Sequence, residues 1–117
     1  MSYCRFSDED FHCDVYVYES RDGYVTHVAS RRHVLPDGLL PPPLPDDASA
    51  EEWIARHMRV MEIVSAAGME EIDLPEAGDW FVHATPGGCA DNLERLRAAG
   101  FRVPQYAIDA LRAEAAG

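Results

Sequence analysis

A proline-rich segment, residues 35–47 (LPDGLLPPPLPDD), divides the chain into two parts with different periodicity. Proline fixes φ and lacks an amide donor, so neither a helix nor a central strand can run through such a segment. We therefore expect an extended, stiff linker. It separates a β-hairpin region at residues 1–34 from a mainly helical region at residues 48–117. The whole chain of 117 residues has the size of a single domain.

Residues 13–31 predict a β-hairpin around Asp22-Gly23. Strand-forming residues flank this pair, and Asp-Gly suits a two-residue type I′ turn, in which both central residues have positive φ. Such a turn places Val17 opposite Val28. The valines then share one face of the hairpin, and the other face is a candidate binding surface. That second face holds Asp14, Tyr16, Tyr18, His27 and Arg31, with Tyr18 opposite His27 and Asp14 opposite Arg31.

Residues 49–67 predict the first helix. Ser49 and Glu52 match a capping box, and Gly68 is placed to end the helix with a positive φ. Apolar residues recur at helical spacing and are expected to form a buried stripe. The members of that stripe are Trp53, Ile54, Met58, Met61 and Val64, and His57 is expected at its edge.

The last third of the chain predicts a short strand and two helices. Residues 79–84 (DWFVHA) suit a third strand, whereas residues 69–78 read as irregular and acidic. Thr85-Pro86 fits a helix start, and Gly100 with Phe101 fits a helix end. Pro104 starts the last helix. The expected fold is therefore α+β, an N-terminal antiparallel hairpin packed by three helices, the last two as an αα-hairpin.

The net charge of −11 is uneven, because residues 35–79 hold eleven acids and two arginines. A negative field repels phosphate, which makes nucleic acid an unfavourable partner. A helix-turn-helix reading of residues 93–111 is also weak, since the would-be recognition helix carries Arg112 as its only cation. The acidic middle third would suit a basic protein partner.

The cysteine count and the apolar pattern predict a cytoplasmic protein that does not enter a membrane. No apolar run approaches the roughly 20 residues that span a bilayer, and the N-terminus lacks a secretory pattern. Cys4, Cys13 and Cys89 are an odd number, which argues against a disulfide framework and leaves at least one thiol free.

The spacing of the potential ligands predicts neither a metal nor a cofactor. The only close pair is His12-Cys13, and adjacent strand residues point to opposite faces.

An alternative ligand site lies at the start of the helix after residue 84. Cys89 follows Gly87-Gly88, and His83 lies six residues before it. A helix N-terminus lowers the pKa of a thiol and offers amides to an anion. The pattern leaves open a thiol enzyme or a protein that binds or sequesters a nucleotide-like ligand.

The stretches MSYCRFSDEDFHCDVYVYES, GYVTHVASRRH and LRAAGFRVPQYAIDALRAE resemble small uncharacterised proteins encoded by phages of actinobacteria. That group has no assigned activity, so no catalytic residue is carried over. The resemblance implies an accessory role inside a bacterial host. We expect a non-enzymatic protein that binds a host or phage protein through the tyrosine face or the acidic middle third. The ligand site around Cys89 and a role as a virion component are the alternatives, and the sequence sets no oligomeric state.

Overall fold

The computed structural model describes residues 2–8, 11–35 and 38–117, so Pro36 and Asp37 of the expected linker lie outside the described residues. The chain is α+β and divides into two compact units, one up to Arg32 and again from Glu71 to Gly117, the other His33–Glu70. The elements in chain order are β1 (Ser2–Cys4), β2 (Val15–Ser20), β3 (Gly23–Val28), β4 (Arg31–His33), α1 (Ala50–Ala66), β5 (Met69–Glu71), β6 (Trp80–His83), α2 (Pro86–Ala99) and α3 (Gln105–Ala116).

The first unit is built on an antiparallel sheet with the strand order β1-β2-β3-β6. The hairpin β2–β3 and the third strand β6 confirm the expectation from sequence. The edge strand β1 was not predicted as a defined element, and it pairs with β2 through a register shift between Ser2 and Cys4. A separate two-stranded sheet joins β4 and β5, where the sequence had indicated irregular chain at residues 69–71.

One face of the four-stranded sheet packs against α2 and α3, which contact each other as the expected αα-hairpin. Alternation along each strand turns every second side chain towards these helices. Full burial of each large aliphatic side chain contributes about 1.5–3 kcal/mol. The core includes Val15, Val17, Val28, Cys89, Leu93, Leu96, Phe101, Ala107, Ile108 and Leu111.

The hairpin register differs by two residues from the predicted one. Val17 lies opposite Thr26 rather than Val28, and Tyr18 lies opposite Val25 rather than His27. The loop is Arg21-Asp22, because Ser20 pairs with Gly23. Gly23 has a φ of 123°, whereas Asp22 lacks the positive φ that a type I′ turn requires. The Ser20 hydroxyl accepts from the Asp22 amide at 3.2 Å and holds this loop. A shift of two leaves the side chains of β2 and β3 on their predicted faces.

The ends of α2 follow the sequence signals. The Thr85 hydroxyl accepts from the Gly88 amide at 3.1 Å, and Pro86 occupies the first turn. Gly100 has a φ of 118°, and the Phe101 amide donates to the Leu96 carbonyl at 3.1 Å. These contacts confirm the predicted cap and the Schellman-type end.

The second unit contains α1 and the described part of the proline-rich segment. Ser49 caps α1 as predicted, and the Arg56 guanidinium donates to the carbonyls of Pro41 and Pro42 at 2.9 and 3.0 Å. The predicted end of α1 is wrong. The C-terminal cap is Ala67, whose φ is −72°, and Gly68 does not have the positive φ that was expected.

The predicted buried stripe of α1 is largely wrong. Val60 and Val64 are the buried residues of this helix. A helical stripe is buried only where another element packs on it, and the two buried valines lie four residues apart, on one line along the helix. The remaining apolar residues of the stripe are exposed, namely Trp53, Ile54, Met58 and Met61, as is His57.

The cysteines form one disulfide, between Cys4 and Cys13, and Cys89 is the free and buried cysteine. This is the single bridge that an odd count allows, and the spacing of the two residues had given no signal for it. Among the described residues, each helix is too short or too polar to cross a bilayer.

Candidate binding surface

A row of aromatic side chains crosses the sheet face turned away from α2 and α3. Tyr16 and Tyr18 come from β2, His27 from β3 and Trp80 from β6, and Phe6 follows β1. Because side chains alternate along a strand, residues two apart share this face. The strand registers place Tyr16 opposite His27, and His27 opposite Trp80. We call these five residues the outer aromatic row.

The rings of the outer aromatic row contact one another in sequence. The ring centroids of Phe6 and Tyr16 are 6.1 Å apart, and those of Tyr16 and Tyr18 are 5.7 Å apart. Tyr18 and His27 stack at 5.7 Å with an interplanar angle of 13°, and His27 and Trp80 follow at 6.5 Å. These separations are typical of interacting aromatic pairs, so the row is one continuous surface.

The row is most accessible at its two ends. Trp80 is 63% exposed and Phe6 is 40% exposed, whereas Tyr16, Tyr18 and His27 between them are half-buried. The Arg5 guanidinium carbon lies 5.9 Å from the Tyr16 ring centroid, within the range of a cation–π contact. A shallow depression of about 380 Å³ adjoins the row, lined by Tyr18, Ser20, Asp22, Val25, His27, Trp80 and Val82.

Asp14 is not part of this surface, contrary to the sequence prediction. It is 1% exposed, and its Oδ2 accepts from the Arg102 amide at 2.7 Å and pairs with an Arg32 guanidinium nitrogen at 2.8 Å. Its backbone also bonds to Arg102 and Ala29. Asp14 therefore joins the start of β2 to β4 and to the loop between α2 and α3, which is a structural role.

Arg31 is also outside the row. The predicted register paired it with Asp14, but the next residue, Arg32, makes that contact. Arg31 lies in β4, which belongs to the other sheet, and approaches Glu71 at 3.7 Å with both side chains exposed. The predicted binding set therefore retains Tyr16, Tyr18 and His27.

Phe6, Trp80 and the neighbouring Val82, which is 42% exposed, were not among the residues predicted for this surface. The signal for two of them was present, because Trp80 and Val82 are two residues apart in a segment predicted as a strand. The position of Phe6 depends on β1 and its irregular pairing, which no local pattern indicated.

The alternative site has a buried sulfur. Cys89 is fully buried on the core side of the sheet, and its Sγ lies 3.5 Å from the Thr26 hydroxyl. Burial raises the pKa of the Cys89 thiol, with the contact to Thr26 acting in the opposite direction. The sulfur is therefore held mainly as a thiol at neutral pH, unlike an activated nucleophile.

The other residues of the alternative site have different roles. The Gly88 amide donates to the Thr85 hydroxyl, so this helix-terminal donor is already bonded within the chain. Gly87 faces Ala115 of α3, since a Cβ built on Gly87 would lie 3.6 Å from the Ala115 Cβ. His83 is half-buried at the end of β6. In the described ranges, no group of three or more His, Cys, Asp or Glu is placed to hold a metal ion.

Comparison of the chain with protein-family models, with curated proteins and with solved structures finds no match. The functional inference therefore rests on the chemistry of the outer aromatic row.

Proposed function

We propose that this chain is a non-enzymatic binding protein and that the outer aromatic row docks a partner protein. The observation that carries the proposal is the continuity of five ring side chains across three adjacent strands and the segment after β1, with Trp80 63% exposed at one end. Aromatic and arginine side chains are the residues that most often dominate protein interfaces. A stable sheet needs only one covered face, and the core here lies entirely on the other.

The charge of the chain favours a protein over a nucleic acid as the partner. Stacked aromatic side chains also bind single-stranded nucleic acid, but such sites combine them with a positively charged groove. The net charge of −11 opposes phosphate. Arg5 beside Tyr16 is one cation at the edge of the row. A partner with an apolar centre and a basic rim fits this surface best.

The resemblance to small proteins of actinobacterial phages supports a partner from the host or from the phage itself. An accessory protein of this kind acts by occupying a partner's surface, and it needs no reacting group of its own. The buried, protonated thiol of Cys89 is in keeping with that role.

The proposal is tested by replacing Tyr18 and Trp80 together with alanine. Hot-spot residues of protein interfaces, among which Trp and Tyr are enriched, cost about 2 kcal/mol or more when truncated, or roughly 30-fold in affinity. We expect the double variant to lose the proteins that the wild-type chain retains from an actinobacterial lysate, identified by mass spectrometry. Affinity for the leading candidate is then measured by calorimetry with purified components.

Tyr106→Ala is the matched control, because Tyr106 is an exposed tyrosine (42%) on α3, the helix on the opposite face of the sheet, and its hydroxyl donates to Asp8 rather than to a residue of the row. We expect it to retain the same proteins as the wild type. Circular dichroism melting checks that all variants are folded. The proposal is wrong if the folded double variant binds the purified partner as tightly as the control does.

A further inference from the structure

The second edge strand of the four-stranded sheet, β6, has a side without a neighbour. In the part of the chain that the structure describes, β3 pairs with one side of β6 and no strand pairs with the other. Free edges are templates for another strand, and proteins normally protect them with charges, prolines or bulges. None of these interrupts Trp80–His83, and two of its residues, Trp80 and Val82, are among the exposed large apolar side chains.

The hydrogen-bonding pattern shows which backbone groups point to the open side. The Val28 amide donates to the Asp79 carbonyl at 2.9 Å, which makes this a hydrogen-bonded pair of the β3–β6 ladder. In an antiparallel ladder hydrogen-bonded and non-hydrogen-bonded pairs alternate. The pairs of Trp80 with His27 and of Val82 with Val25 are therefore non-hydrogen-bonded. The N–H and C=O groups of Trp80 and Val82 point away from β3.

The geometry points to a second copy of this chain as the occupant of that edge, with β6 pairing antiparallel to β6 about a two-fold axis at Phe81. This register places Trp80 opposite Val82 of the second copy, and their outward N–H and C=O groups form hydrogen-bonded pairs. The two side chains lie on the outer face, so an apolar cluster forms across the axis.

The same register also pairs polar side chains with each other. It places Asp79, which is exposed, opposite His83 of the second copy. An imidazole N–H can donate a hydrogen bond to a carboxylate directly opposed to it across two strands, whereas two carboxylates in these positions would repel each other. Self-complementarity of this kind is what a two-fold interface requires, because the same segment meets itself in reverse.

The dimer would extend the outer aromatic row. Because β6 is its last strand, pairing joins the rows of both copies into one surface that crosses two sheets. The inference does not depend on the proposed partner binding, since the edge and the row are tested separately.

The strand that would form this interface, β6, is four residues long. The interface is therefore smaller than those of stable homodimers, and we expect a reversible dimer that forms with rising concentration.

The test combines sedimentation equilibrium with amide hydrogen exchange followed by NMR across a concentration series. We expect the mass to rise from monomer to dimer. We also expect the amides of Trp80 and Val82 to exchange at least about tenfold more slowly at high concentration, as inter-copy hydrogen bonds form. The Phe81 amide, which already faces β3, provides the internal reference.

Two variants separate edge pairing from other contacts. Val82→Lys places a charge beside the two-fold axis and should weaken dimerisation at least about tenfold, while the fold remains because Val82 is partly exposed. Val34→Lys makes the same change at an exposed valine outside the four-stranded sheet and should leave the dimer unchanged. A monomer at every concentration, or a dimer without protection of the Trp80 and Val82 amides, would overturn the inference.

Discussion

At the scale of single residues, Arg31 and Arg32 are neighbours in β4 with opposite environments. The Arg32 side chain is 16% exposed and pairs with the buried carboxylate of Asp14 at 2.8 Å, whereas the Arg31 side chain is 62% exposed and approaches Glu71 at 3.7 Å. Buried pairs and exposed pairs differ in energetic role, because removing one partner of a buried pair leaves a charge without compensation.

The Arg32→Ala variant should therefore lower the free energy of unfolding by about 3–5 kcal/mol. The matched variant Arg31→Ala should change it by at most about 1 kcal/mol. Urea denaturation followed by circular dichroism measures both values. Similar unfolding free energies for the two variants would show that the buried Asp14 carboxylate is stabilised without Arg32.

Cys89 provides a prediction about pH. Burial raises the pKa of its thiol, and burial also raises that of the Tyr24 hydroxyl. Both groups are neutral when protonated, so their contribution to stability is complete below their unfolded pKa values and declines as the pH rises through the folded ones. Unfolded Cys and Tyr have pKa values of about 8.5 and 10. Unfolding free energy should therefore fall with pH above about 8.5.

The same burial should protect Cys89 from thiol reagents. In the native protein at pH 7 the thiol should react with a disulfide reagent at least about tenfold more slowly than in denaturant. Absorbance of the released thiolate follows the reaction, and Cys89→Ser gives the baseline because the other cysteines form the disulfide. Fast reaction in the folded state would instead favour the alternative site.

At the scale of elements, Gly23 is the point at which the β2–β3 hairpin packs tightly against the end of β6. It has a φ of 123°, and a Cβ at this position would lie 2.3 Å from the His83 carbonyl oxygen. Only glycine combines that φ with so close an approach of a neighbouring strand.

Gly23→Ala should therefore destabilise the protein by at least about 2 kcal/mol, from backbone strain together with the steric clash. Gly78→Ala is the control, because Gly78 also has a positive φ of 84° but its Cβ would meet the Ser30 Cβ at an ordinary 3.5 Å. The difference between the two melting temperatures isolates the clash. If both variants lower the melting temperature equally, β6 moves away from the added methyl group without a loss of stability.

The elements that sequence predicted well are those with local signals. The N-terminal caps of α1 and α2 and the end of α2 at Gly100 each depend on residues within five positions. The hairpin faces and β6 followed from period-two alternation. The tyrosines of the outer aromatic row were placed on the correct face for the same reason.

The features that sequence did not predict depend on distant parts of the chain. The hydroxyls of Tyr3 and Tyr24 both donate to the Glu114 carboxylate, which ties β1 and β3 to the end of α3. Asp14 is buried because Arg32 and the Arg102 amide meet it there. A window of neighbouring residues contains no information on such contacts. The hairpin register was wrong for a different reason, since Asp22-Gly23 was expected to form the two-residue turn, whereas the loop is Arg21-Asp22.

At the scale of the whole molecule, the large hydrophobic core belongs to one of the two units. Every buried residue of this core lies either before residue 33 or after residue 70. The other unit begins and ends at nearby points, because the Val34 amide donates to the Gly68 carbonyl at 2.9 Å. The sheet with α2 and α3 therefore has its own core.

Replacing residues 35–67 with an Asn-Gly turn should leave a folded protein. The two residues suit a tight connection between the antiparallel strands β4 and β5. We expect a cooperative thermal transition and a dispersed NMR spectrum in which the core valines keep their wild-type shifts. A shortened chain that is unfolded at 25 °C would show that α1 contributes to the stability of the sheet.

The proximity of Val34 and Gly68 has a practical meaning for how such a chain diversifies. A segment whose two ends meet can be lengthened, shortened or exchanged for a foreign peptide without altering the residues that the rest of the protein needs to fold. Recognition elements grafted between these two points would be displayed on a scaffold whose own surfaces stay unchanged, so new specificities can be added there one at a time.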